Sequence, residues 1–142
     1  MKRILRNILA VLLGLIVGMG IMMLLHTLFA SIVPLPEGVD FSKPESFKEN
    51  IDKFTGLHFF TASLAHGLGT LSAAFIACKI SLAKNRTFIL VASLFLIFGI
   101  LNARDLNPPI LFTLLDLSLA YFPMAWIGKK LAGVKSWFPP KN

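Results

Sequence analysis

Two side chains in this sequence sit where ionisable groups are expensive, and their spacing places them level with one another. His66 lies within Ala62-Ser-Leu-Ala-His-Gly-Leu-Gly-Thr70, and Asp116 within Leu114-Leu-Asp-Leu-Ser-Leu119. Each stands thirteen residues before a lysine, Lys79 and Lys129. At a rise of about 1.5 Å per helical residue, both lie about 20 Å from a common basic boundary. An imidazole level with a carboxylate on a neighbouring helix can form a hydrogen-bonded pair, relay a proton or offer a polar end to a ligand. An unpartnered aspartate at such depth costs roughly 2.5–3.5 kcal/mol, so a partner or an aqueous cavity is expected.

A second group collects by the same count. His26 is twenty residues beyond Arg6, His58 twenty-one before Lys79 and Arg104 eighteen beyond Arg86. They define an outer mouth that also holds Asn102 and Asp105. His66, Asp116, His26, His58 and Arg104 are therefore the candidate ligand-binding set. The structural alternative makes His66–Asp116 an interhelical hydrogen bond, His26 and His58 interfacial imidazoles, and Arg104–Asp105 a solvated pair. His26 and His58 at one level also raise a third reading, axial ligation of a haem in a helix bundle.

Other chemistry is absent from the pattern. No nucleophile–base spacing, phosphate-binding glycine loop or His-Glu-x-x-His zinc helix occurs. The single cysteine, Cys78, allows no internal disulfide and no Cys-x-x-Cys site, and reads as a packing residue. Met19, Met22 and Met23 suit a core stripe better than a soft-metal site. No enzyme activity, metal or cofactor is expected.

The elements that must position these groups are four apolar runs, about 8–33, 57–78, 87–103 and 110–128, in a chain of 142 residues that is 56% hydrophobic. Runs near 20 residues are long enough to cross a bilayer, and the third is short by that standard. The first is too long for a signal peptide and is read as an uncleaved span; cleavage after Ala30 is the alternative. Ten basic residues and no acid flank the runs on one side: Lys2, Arg3, Arg6, Lys79, Lys84, Arg86, Lys129, Lys130, Lys135 and Lys141. Six of the seven acids lie on the other side, in 34–56 and at Asp105, so both termini are expected to be cytoplasmic. The net charge of +7 is spread in short clusters flanking the runs, as anchors to anionic lipid are, and not in a nucleic-acid patch.

The expected fold is all-α: one integral domain, a four-helix transmembrane bundle with a short amphipathic helix in the outer loop 34–56. Ser42 and Glu45 have capping-box spacing, and Phe47, Ile51 and Phe54 follow at helical intervals. Pro123 predicts a kink below Asp116, and Trp137 with Phe138 an interfacial aromatic anchor. Helices in lipid associate through small residues. Ala10, Gly14 and Gly18 form one such ridge, and Ala62, Ser63, His66, Gly69, Thr70 and Ala73 another.

The segments Ala65-His-Gly-Leu-Gly-Thr70, Asp116-Leu-Ser-Leu-Ala-Tyr-Phe-Pro-Met124 and Pro34-Leu-Pro-Glu-Gly-Val-Asp40 together resemble an uncharacterised family of small bacterial four-span inner-membrane proteins. The resemblance covers most of the chain; it implies a bacterial inner-membrane location and no particular activity. The leading functional expectation is a non-enzymatic accessory subunit or homo-oligomer, assembled through the Gly/Ala/His66 face. The alternative is a small transporter or ligand-binding protein with an outward-opening site at His66 and Asp116.

Overall fold

A computed structural model describes residues 2–40 and 43–134. The elements are α1 Lys2–Ile32, α2 Pro44–Glu49, a single 3-10 turn Ile51–Lys53, α3 Gly56–Ile80, α4 Lys84–Leu106, α5 Ile110–Leu119 and α6 Phe122–Leu131. Four spans are long and apolar enough to cross a membrane: α1, α3, α4, and α5 with α6 together. The architecture is that of a multi-pass integral membrane protein. In hydrocarbon every backbone amide must find its partner within the segment, which is why these runs are helical, with a single break in the fourth. The first residues of α1 and the last of α6 lie at one end, the basic end, while the 34–55 and 107–109 connections lie at the opposite, acidic end.

The third span is not short. α4 covers 23 residues because its polar ends, Lys84 to Arg86 and Asn102 to Asp105, are helical as well. Sequence hydropathy truncates it, but helical backbone continues wherever side chains can reach headgroups. Asn107 closes α4 in the left-handed conformation, with φ 50°, ahead of Pro108 and Pro109.

α3 is the central helix, packed on α1, α4 and α6. Its small residues let the neighbouring backbones approach closely. A Cβ on Gly14 would lie 2.6 Å from the carbonyl oxygen of Ala73, and one on Gly18 2.7 Å from that of Gly69. Ala73, Ala74 and Ala77 are buried at this contact, as is Thr70. The expected small-residue face packs within one chain: Gly69 and Ala73 lie against Gly14 and Gly18 of α1, while Ser63 and His66 face Asp116 of α5. Met22 packs on this core, while Met19 and Met23 point outward, so the expected methionine stripe reduces to one residue.

The outer-loop helix is present over six residues. Ser42, its expected cap, lies outside the described residues, and Lys43 at the N-cap gives no side-chain bond. Ser46 organises the turn instead: its hydroxyl accepts the Asp40 amide at 2.8 Å and reaches the Lys43 carbonyl at 2.8 Å. Phe47, Phe54, Phe59 and Phe112 then form a run of ring contacts with centroids 4.7–6.1 Å apart, laying the loop over the ends of α3 and α5. Trp137 and Phe138 lie outside the described residues.

At the basic end, Arg6 Nε donates to the Ile80 carbonyl at 2.8 Å. Asn7 Oδ1 accepts the Ser81 hydroxyl and the Leu82 amide, tying α1 to the α3–α4 turn. Lys129, expected as a headgroup anchor, is 1% exposed, its ammonium 4.6 Å from the centre of the Phe88 ring. Lys130 is the next residue, lying over Trp126.

Candidate functional site

The fourth span is broken where Pro123 was expected to kink it. Pro123 has no amide to give the Leu119 carbonyl, so α5 ends at Leu119, and α6 starts afresh at Phe122 with the proline in its first turn. The interruption swings Tyr121 round toward Asp116. In an unbroken helix a residue five positions on lies about 140° away around the axis. Here the Tyr121 hydroxyl donates to Asp116 Oδ2 at 3.0 Å.

Asp116, 5% exposed, is the hub of a network from three elements. Ser63 of α3 donates to Oδ1 at 2.8 Å. His66 Nδ1 lies 3.0 Å from Oδ1 and 3.1 Å from Oδ2. With Ser63, His66 and Tyr121 converging, both carboxyl oxygens are hydrogen-bonded, which offsets the cost of burial. The contact expected between spans two and four is therefore made. Tyr121 was not anticipated, because its reach depends on the helix break; the available signal was that it is the chain's only tyrosine, two residues before a proline. Gly99 of α4 completes the fit, since a Cβ there would run into the Tyr121 hydroxyl.

His26 is not at the outer mouth with His58. Its ring stands edge-on to His66, with centroids 5.3 Å apart, so the network continues as Asp116–His66–His26 into α1. Residue counting put His26 farther out because it followed the backbone alone. Helical side chains lean toward their own N-terminus. In the antiparallel pair α1 and α3, His26 leans toward the basic end and His66 toward the acidic end, and they meet between.

His58 has a different task. Its Nδ1 accepts the Thr55 amide at 3.1 Å, and Nε2 reaches the Pro34 carbonyl at 3.0 Å, so the imidazole staples the end of the α1 connection to the start of α3. His58 lies two turns from His66, and His26 faces His66, so His26 and His58 do not form the facing pair on which the haem reading rested. Arg104 is exposed and makes no ion pair with Asp105 among the described residues. The five expected ligand-binding residues thus divide: His66, Asp116 and His26 form one chain, while His58 and Arg104 stand apart.

Beside the network lies a groove of about 650 Å³ between α3 and α5. Its walls are apolar, including Phe59, Phe60, Phe112 and Leu115, and Ser63 and Asp116 supply its polar edge. Phe60, Leu111, Leu115 and Leu119 are more than half exposed on the outside of the bundle, so the groove opens sideways. The alternative reading of the sequence placed an outward-opening ligand site at His66 and Asp116; the groove beside these residues opens on the flank of the bundle. Gly67 keeps its inner end open against Met124. No family model, curated protein or solved structure matches the chain.

Proposed function

We propose that this chain is a ligand-binding membrane protein and not an enzyme, taking a lipophilic molecule with a hydrogen-bond-donating head into the α3–α5 groove from the bilayer. One observation carries this reading: the most elaborate polar network in the bundle borders an otherwise apolar groove that opens to the lipid side. A network serving packing alone needs no such opening. Ser63 gives its proton to Asp116, so its hydroxyl oxygen still accepts, and it lies on the groove wall. The aromatic walls suit an apolar chain or ring system. The orientation that accompanies this reading is basic end inside, in a bacterial inner membrane.

A long-chain alcohol bearing a diazirine tests the proposal, with the purified protein in lipid nanodiscs. Labelling is expected on α3 and α5 around Phe60 and Leu115, and excess unlabelled long-chain alcohol should compete it away. Leu115→Trp, which fills the groove at an outward-facing position, should remove most of the labelling without changing the melting temperature. Labelling spread evenly over all four spans, or unaltered by Leu115→Trp, would reject the proposal.

A further inference from the structure

A second groove, of about 310 Å³, lies at the opposite end of the bundle between α1 and α4, and its chemistry is different. One wall is aliphatic, with Ile8, Leu12 and Leu90 running toward the bilayer centre. At its mouth stand Arg86 and Asn7. Arg86 is exposed and has no acceptor among the described residues. Asn7 has its carbonyl oxygen occupied by Ser81 and Leu82, so its amide NH2 is the group left for a ligand. Arg3 lies one helical turn before Asn7, on the same stripe of α1. Arg86 and Asn7 thus both present donors at the mouth, while Thr87, the other polar residue lining the groove, is buried with its hydroxyl bonded to Ser81.

No aspartate or glutamate of the chain supplies a counter-ion at this mouth. The acids are Glu37, Asp40, Glu45, Glu49, Asp52, Asp105 and Asp116, and none lies at the basic end. We infer that the α1–α4 groove binds an anionic phospholipid, its phosphate held by Arg86 and Asn7 with Arg3 alongside, and one acyl chain lying on Ile8, Leu12 and Leu90. The match is one of charge and shape together: a mouth of positive charge, with the donors of Arg86 and Asn7, continues into an aliphatic trough at membrane depth. Arg6 is not part of this set, because it does not line the groove and its Nε donates to the Ile80 carbonyl. This site is independent of the α3–α5 groove, and either assignment stands without the other.

The experiment uses the full chain in nanodiscs of phosphatidylcholine containing a minor fraction of phosphatidylglycerol, with the lipid retained through mild delipidation counted by native mass spectrometry. Wild type is expected to retain phosphatidylglycerol in preference to phosphatidylcholine. Arg86→Gln should lower that retention about fivefold, the effect of one cation at a lipid surface. Leu12→Trp should lower it comparably with every charge in place. Lys79→Gln, which removes a basic-end cation outside the groove, should leave it unchanged. Equal retention of the two lipids would overturn the inference, as would a loss in Lys79→Gln matching that in Arg86→Gln. Displacement of the lipid by millimolar inorganic phosphate would likewise overturn it, by showing that the mouth reads phosphate without the chain.

Discussion

Asp116 concentrates the polar energetics of the bundle, and its partners contribute unequally. Removing the Tyr121 hydroxyl leaves both carboxylate oxygens with another donor. Tyr121→Phe is therefore expected to cost about 1 kcal/mol, in the range of interhelical hydrogen bonds in membranes. Asp116→Ala strands Ser63, His66 and Tyr121 together, and each unpaired buried group costs roughly 1–3 kcal/mol. A loss of roughly 3 kcal/mol or more is expected, read as the unfolding midpoint in denaturing detergent. Similar small losses in the two variants would show that the carboxylate is not the hub. Of this constellation, His66 and Asp116 were legible in the sequence, because an ionisable group within an apolar run has to be explained. Tyr121 and Gly99 were not, since a phenol and a glycine are unremarkable in a membrane helix until their neighbours are known.

The helix break between α5 and α6 is an element-scale device that makes the residue-scale network possible. Pro123→Ala restores an amide able to bond the Leu119 carbonyl and favours a continuous helix. Continuity rotates Tyr121 away from Asp116, so the gain in backbone bonding is offset by loss of the phenol contact. Tyr121→Phe should then cost almost nothing in the Pro123→Ala background, against about 1 kcal/mol in the wild type. Equal costs in the two backgrounds would mean that the break does not position the tyrosine. The proline and the place of the kink were readable from sequence; the side chain it redirects was not, because that depends on the conformation of Ala120 and Tyr121.

At the scale of the whole molecule, α1 begins and α6 ends at the same, basic end of the bundle, and we propose from the charge asymmetry that this end faces the cytoplasm. Cysteine labelling in intact cells checks the assignment. Glu45→Cys at the acidic end should react with an impermeant maleimide from outside, and Lys84→Cys only after permeabilisation. The reverse pattern would invert the orientation. The native thiol does not interfere, because Cys78 is fully buried between α3 and α4. It should react only when the bundle opens, which makes its labelling rate a measure of unfolding.

Four spans were legible in the sequence, though not the full length of α4, together with the charge polarity and the level of His66 with Asp116. These follow from one-dimensional quantities: length, hydropathy, and rise per residue along a helix. The sequence also marked the small-residue faces, since close approach in lipid requires them wherever they pack. Only the tertiary structure decided which helix each face meets, and it placed Gly14 and Gly18 on α3 of the same chain. It likewise moved His26 from the outer mouth to His66, and set the polar network beside a groove that opens on the flank of the bundle. The reason is physical: which side chains meet depends on helix rotation, tilt and lean, and those are set by the packing of neighbours that no local stretch of sequence specifies.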